Sequence, residues 1–357
     1  MGSRERRSES PGSVEDLSTD LRAAKTEASD RYFARSSRHP LAPFVLRRAL
    51  AGLREVGGHQ IHAIGIGHKL TNGKPGDALC VRFYVSQKLP KRLLSARARI
   101  NTHIDGIDTD VIEAAPAFPA MPLACSRARR QHKRPLRPGA SIGLETVAGG
   151  TLAFPCTSRL APERGQSLLL SNSHVFSDYG VAPPGSIIYQ PSLADGGTPQ
   201  DRVGLLLRSV PLQAGVLATN QVDAAVAVLD NGIGVEADIC TVGAVQGIAP
   251  PAVGQLVHKH ARTTGYSSGV VDDIACDVLL PLSRAAPERQ TRFVNQIRIR
   301  ARAGASLFAQ LGDSGALIVE KPGNRAVGLL FACPDNGTHA FANPIRAVLD
   351  QLDIDLG

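Results

Sequence analysis

From Ala140 onward the chain is cut into short apolar runs by turn residues, and this pattern constrains the fold more than any other feature of the sequence. Residues 167–170, 202–207, 223–229, 315–319 and 326–331 are such runs, rich in Val, Leu, Ile and Ala. Runs of this length suit strands, since a helix needs about 10–12 residues. Many short strands at regular spacing predict a β-barrel or a sandwich. The 35 glycines and 24 prolines suit the turns such a fold requires. Trp is absent, so the core must be built from aliphatic side chains. At the far end, Pro344 opens a stretch in which Ile345, Val348 and Leu352 recur at helical spacing. A short C-terminal helix is expected there.

A chain of 357 residues has room for a second unit before residue 140. Residues 1–50 mix Ser, Arg, Glu and Asp with few apolar positions, which predicts a flexible or weakly helical tail. Residues 51–118 differ. In 62–68, Ile64 and Ile66 alternate with glycines; 71–76 is a turn cluster; 78–85 is a strong strand; 89–96 begins a helix or turn; and 105–113 is a turn followed by a strand. These make a small α/β unit. Residues 119–139 are rich in Pro and Arg and read as a linker to a domain spanning 140–357.

The formal net charge is +8, and six basic side chains sit between 126 and 139 without an intervening acid. Such a run is ordinarily a solvated linker, so nucleic acid is disfavoured as a partner. The N-terminal MGSRERRSESPGS has no apolar core and does not resemble an export signal, and no apolar run is long enough to cross a membrane. Cys80, Cys125, Cys156, Cys240, Cys276 and Cys333 are scattered, with no CxxC pair, and read as reduced, mostly buried thiols. A cytoplasmic protein is expected. Homo-oligomerisation is left open.

Three segments carry chemistry. Gly312-Asp313-Ser314-Gly315 precedes an apolar strand. A nucleophilic serine needs a tight, open turn whose N–H groups face the developing oxyanion, and glycine permits the required backbone. In 168–175, a buried apolar run ends in a polar hinge followed by His174, a base held at a strand end. Asp223 heads a strongly apolar strand, where a carboxylate is costly unless an imidazole N–H pairs with it. Each has a plain alternative: a glycine turn, a core histidine, a strand-capping aspartate. Together they stand in the order His, Asp, Ser, separated by 49 and 91 residues. That order is the chymotrypsin one, and subtilisins and α/β-hydrolases use others.

Residues 140–357 resemble the trypsin-like serine peptidases, most of all bacterial intracellular members with LSNNHV, VDAA and GDSG around the catalytic residues. Here these segments read LSNSHV (170–175), VDAA (222–225) and GDSG (312–315). The segments 81–91, 104–113, 190–197 and 262–265 are also similar to those proteins. The resemblance implies a mainly β fold, a chymotrypsin-like double β-barrel with a small N-terminal α/β domain. It implies His174 as base, Asp223 as orienter, Ser314 as nucleophile, and an oxyanion hole from the N–H groups of Gly312 and Ser314. It implies a serine endopeptidase acting on protein or peptide through an acyl-enzyme, with no metal or cofactor. It also implies a specificity pocket bounded by Phe308, six residues before the nucleophile, and by Phe331 and Cys333. No carboxylate at Phe308 predicts small or apolar residues, not basic ones, at the cleaved position.

Two departures qualify this. Cys333 stands where such families often carry glycine. No activation site of the Ile-Val-Gly-Gly type is present, so Asp313 must find a partner other than a freed N-terminus. Both keep open an alternative, a conditionally inactive or non-catalytic scaffold binding a protein partner. Elsewhere, His258-Lys259-His260 has ligand spacing, but exposed strand histidines explain it as well as a zinc site. Gly65-Ile66-Gly67 is an incomplete phosphate loop and reads as strand glycines. Asp272-Asp273 reads as a turn, and Arg262-Thr263-Thr264-Gly265 as a hairpin turn.

Overall fold

The computed structural model describes residues 14, 16–36, 61–71, 73–90, 92, 94–114, 116–119, 128–282, 289–302 and 305–357. The short apolar runs become strands in two antiparallel systems. In the first, 150–158 forms one bent ribbon. Its early part, Gly150–Thr151, pairs with Ser141–Leu144, and its later part, Phe154–Ser158, pairs with Ser167–Ser171. Ala225–Leu229, Arg202–Ser209 and Ile187–Tyr189 complete the circuit back to Ser141–Leu144. Leu169, Phe176, Ile188 and Val203 fill its interior.

The second circuit also closes. Leu256–Ala261 pairs with Gly265–Pro281, which pairs with Gln290–Ala301. His339–Pro344, Ala326–Cys333 and Leu317–Glu320 follow, and the last pairs back with Leu256–Ala261. Closure removes the exposed edges that a flat sheet would offer. The fold is therefore mainly β, a chymotrypsin-like double β-barrel. The expected C-terminal helix is Ile345–Leu352, with Ile345, Val348, Leu349 and Leu352 buried. Beyond it, Ile354–Leu356 returns to pair with the first barrel.

The small N-terminal α/β unit is built from Ile61–Thr71, Lys74–Val85, His103–Ile104, Ile107–Glu113 and the helix α1, Thr19–Ser36. It is continuous with the second barrel. Ile61–Thr71 pairs with Gly265–Pro281, setting Ala63 opposite Val278 and Ile66 opposite Ile274. Two expectations change here. Residues 19–36 are not a tail: Leu21, Ala24, Ala28, Tyr32 and Phe33 form a buried stripe in the same cluster as Ile64, Ile274 and Ile299. The sequence hid this because two of the five stripe residues are alanine. Lys25 also points inward, where its Nζ meets Asp277 Oδ1 at 2.6 Å. The remainder of the expected tail, 1–13, 15 and 37–50, lies outside the described residues, as do 51–60 of the expected α/β unit.

The basic stretch is likewise not a solvated linker where it is described, from 128 to 139. Arg129 donates to Thr263 O at 2.8 Å, Arg137 pairs with Glu236 and Asp238, and Leu136 is buried beside Val235. The acids and carbonyls that neutralise the run come from distant segments, so the local sequence could not show them. Residues 120–127, with Cys125, lie outside the description. None of the five described cysteines forms a disulfide. No described helix is long and apolar enough to cross a membrane.

Phe33 is fully buried. Phe33→Ala should cost about 3–5 kcal/mol of unfolding free energy, the usual range for deleting a core phenyl. Urea denaturation checks it. A change within about 0.5 kcal/mol, the scale of an exposed site, would return α1 to a loosely attached tail.

Candidate active site

Strand Ser167–Ser171 ends at Asn172, and the one-turn helix α2, Ser173–Phe176, follows with His174 inside it. Val175 and Phe176 anchor the turn in the first barrel. Asp223 stands just before strand Ala225–Leu229 and is 1% exposed. Its two oxygens are divided between one partner residue: Oδ2 lies 2.6 Å from His174 Nδ1, and Oδ1 accepts the His174 backbone N–H at 3.1 Å. Ring and main chain are thus both held. Asn172 Nδ2 donates to Asp223 O at 2.6 Å, and Asn343 Oδ1 accepts the Asp223 N–H at 3.1 Å. Asn343 belongs to the second barrel, so this carboxylate is braced across the interface.

Ser314 arises from the second barrel, in the turn before Leu317–Glu320. Gly312 and Gly315 have φ of +97° and +93°, a backbone that a side chain would strain. Among the described residues no hydrogen bond takes the N–H of Gly312 or of Ser314. The turn is tied to the first barrel through Thr151. Its N–H donates to Ser314 O at 2.7 Å, and its hydroxyl donates to Gly312 O at 3.0 Å. Ser314 Oγ donates to Phe331 O at 3.1 Å. His174 Nε2 is buried and makes no hydrogen bond among the described residues. The serine hydroxyl and the imidazole are not hydrogen-bonded to each other in this conformation.

Asp313 has the partner the sequence demanded. Lys259 Nζ lies 3.0 Å from its Oδ2, with both side chains at 0% exposure. The N–H groups of Thr263, Thr264 and Gln310 and the Thr264 hydroxyl also donate to this carboxylate. Burial pushes the Asp313 carboxyl up. The Lys259 ammonium and the Thr264 and Gln310 donors outweigh it and hold the group below the ordinary aspartate range. The stretch 262–265, read as a plain hairpin turn, is therefore the cradle of Asp313. Next to it, Arg262 binds Asp195 through Nε and Nη2 at 2.5 and 2.7 Å.

Of the residues expected around the specificity pocket, Phe308 and Cys333 share one second-barrel core cluster and Phe331 belongs to another. Phe308 is buried in the second-barrel core, 5.4 Å from Lys259 Nζ by its ring centroid, and its N–H donates to Gly337 O at 2.7 Å. Phe331 packs on Phe293, 4.9 Å between centroids, and its carbonyl faces Ser314. Cys333 is fully buried two residues on. A cavity of about 640 Å³ lies elsewhere, between Pro250, Asn295, Val327 and the helix Ile345–Leu352, and contains none of the candidate catalytic residues.

His258 and His260 are buried, not exposed as expected. They share one strand face, with Asn324 and Thr241 as partners, while Lys259 points the other way. Burial, then Arg129 and Lys259, push His260 down to about 4. No group of three metal-ligating side chains occurs among the described residues. Asp272 and Asp273 are in a strand, not a turn. Asp273 is fully buried, with Arg82 Nη1 at 2.8 Å and the Tyr84 hydroxyl as partners. Gly67 is a strand glycine whose missing Cβ makes room for Asp273 and Arg82. Thr151, Lys259 and Asn343 were missed altogether. Only Lys259 left a trace, as the centre of a period-two triplet.

No family model matches the chain, and no curated protein matches it. Among solved structures it is similar to Thermobifida fusca protease A, at 15% identity over 62% of this chain and 97% of that chain, with a TM-score of 0.43. Nocardiopsis protease gives 16% identity, 62% and 98% coverage, and a TM-score of 0.44. Cellulomonas bogoriensis chymotrypsin gives 18%, 62% and 98%, and 0.42. At these values the likeness carries no argument about activity, and the double barrel stands on its own strand pairing.

Lys259→Met should cost about 3–5 kcal/mol, the penalty for leaving a buried charge unpaired. The pH dependence has a definite sign. Asp313 is depressed in the folded state, so its contribution is fully present above the ordinary aspartate value of about 3.9 and is lost as pH falls through the lower folded value. Unfolding free energy in the parent should be insensitive to this group from neutrality down to about pH 5. In Lys259→Met burial is no longer offset by the ammonium, so this group's acid loss should shrink or reverse: protonation then relieves a buried, unpaired carboxylate. Identical acid limbs in the two proteins would show that the pair is not what stabilises the loop.

Proposed function

We propose that this chain is a serine endopeptidase. The observation that carries the reading is the His174–Asp223 bond of 2.6 Å, with His174 Nε2 left without a hydrogen bond. Asp223 fixes the tautomer that carries its proton on Nδ1, which leaves Nε2 as the base. Ser314 Oγ then attacks a peptide carbonyl as His174 takes its proton. The N–H groups of Gly312 and Ser314 receive the oxyanion, and both are unclaimed within the described chain. The amine leaves with the proton held by His174, and water cleaves the acyl ester with His174 again the base. No metal or cofactor takes part. Cysteines outside disulfides suit a reducing, cytoplasmic setting.

The second reading, a conditionally inactive protease fold, is favoured by one observation: Ser314 Oγ donates to Phe331 O and not to His174. A fluorophosphonate probe distinguishes the two. Labelling of the parent and none of Ser314→Ala supports the enzyme, and an unlabelled parent supports the resting scaffold. Against peptides, Ser314→Ala and His174→Ala should each abolish nearly all turnover, with the double variant little worse. Asp223→Asn should lower turnover by about 10⁴ through the wrong tautomer. A peptide library should show small or apolar residues at the cleaved position, since Phe308 brings no carboxylate there. A profile dominated by Arg and Lys would overturn that assignment.

A further inference from the structure

We propose that Tyr179 is a positioning residue for the base, its ring lying against the His174 imidazole and holding that imidazole in one plane. This rests on the reading of His174 as the base.

A hydrogen bond fixes an edge of a ring more firmly than its plane. Asp223 Oδ2 lies 2.6 Å from His174 Nδ1, and Oδ1 accepts the backbone N–H of the same residue. A tilt of the imidazole about the Nδ1–Oδ2 line keeps the first bond and swings Nε2 out of place. What opposes a tilt is a body against the ring. Tyr179 supplies one: its ring centroid is 5.4 Å from that of His174, and the two planes are inclined by 31°. That separation lies within the range of about 4.5–7 Å that aromatic pairs favour.

The backbone leaves its preferred conformations to put the ring there. Asp178, Tyr179 and Gly180 follow one another at φ of +49°, +58° and +86°. Glycine adopts this region freely and aspartate tolerates it, but a bulky side chain does so rarely and at a cost. Such strain persists only where the surroundings over-determine it. Here they are visible. Gly180 N–H donates to Ser177 O and to Ser177 Oγ, both at 3.0 Å, and Ala182 N–H donates to Ser177 O at 2.9 Å. Ser177 is tied to α2 in turn, its N–H donating to Ser173 O at 2.7 Å and its hydroxyl to the same oxygen at 2.9 Å. The turn thus closes back on the helix that carries His174.

A glycine at 179 would suit this turn better, so what tyrosine adds there is its side chain. Of that side chain the ring is the working part. The hydroxyl makes no hydrogen bond among the described residues. Burial first, and then the charges of Asp223 and Asp178, push it well above the ordinary tyrosine range, so it is neutral near neutral pH.

Fluorophosphonate labelling kinetics on the full chain test this with Tyr179→Phe, Tyr179→Ala and Tyr179→Gly. Without the ring, the limiting labelling rate should fall by about ten- to a hundredfold, the scale of a misplaced catalytic group, while the half-saturating probe concentration is unchanged. Tyr179→Phe keeps the ring and should label at the parent's rate. Tyr179→Gly loses the strain that Tyr179→Ala retains, so it should melt at the higher temperature of the two and label no faster. In a His174→Ala background, removal of the ring should change nothing, because Tyr179 acts through the imidazole. A parent that labels beside a Tyr179→Ala variant of equal rate overturns the inference and leaves the peptidase reading standing. So does a Tyr179→Phe variant as slow as Tyr179→Ala, or a Tyr179→Gly variant whose labelling recovers along with its melting temperature. A parent that does not label overturns both.

Discussion

The site depends on a buried ion pair. Taking Lys259 and Asp313 out of water costs several kcal/mol per ion, and Coulomb attraction alone seldom offsets that. Here Asp313 has four more donors: the N–H groups of Thr263, Thr264 and Gln310 and the Thr264 hydroxyl. These bonds pull the segment 310–315 onto the segment 259–264, and so set the backbone on which Gly312 and Ser314 direct their N–H groups. An aspartate without this cradle would turn outward to water, and the two glycines at positive φ offer no resistance to such a rearrangement. The loop's shape is therefore imposed from beneath by charge, and the glycines only permit it.

The second constraint is that the candidate catalytic groups come from different barrels. His174 and Asp223 belong to the first and Ser314 to the second, so their relative position is only as firm as the interface. Of the contacts that span it, those of two residues hold the candidate catalytic segments directly. Thr151, from the bent ribbon of the first barrel, donates to the carbonyls of Ser314 and Gly312. Asn343, from the second, takes the N–H of Asp223. Asn343 is itself gripped by Gln296 at 2.6 Å, deep in the second-barrel sheet. Each bond satisfies a buried polar group, so slippage of the interface would leave several unsatisfied at once.

Much of this architecture was legible. The strands at 167–170, 202–207 and 326–331 announce themselves by length and composition, and the order of His174, Asp223 and Ser314 points to the double barrel. What stayed hidden shares a physical cause: its partners lie far away in sequence. The run from Arg129 to Arg137 looks solvated because the Glu236, Asp238 and Thr263 groups that it meets are about a hundred residues on or more. Asp273 looks like a turn residue because Arg82 and Tyr84, which make its burial tolerable, belong to another unit. The helix at 19–36 reads as a tail because two of the five residues in its buried stripe are alanine. Local pattern reports local preference; a buried charge is tolerated only by what folds against it.

The fused N-terminal unit follows the same logic. The strand Gly265–Pro281 is 17 residues long, more than its barrel neighbours need, and its far portion would present an open edge. Ile61–Thr71 covers that edge, and Asp277, Lys25 and Asn295 close a polar contact behind it. From this anchored sheet the chain leaves through Ala114 and arrives, at Phe118–Pro119, on the strand beside the nucleophile. The carbonyl of Phe331, two residues before the end of that strand, accepts the Ser314 hydroxyl. The sheet that the N-terminal unit extends and the turn that carries Ser314 are thus tied to neighbouring positions of one strand, Ala326–Cys333, so the seat of the nucleophile is only as firm as that strand.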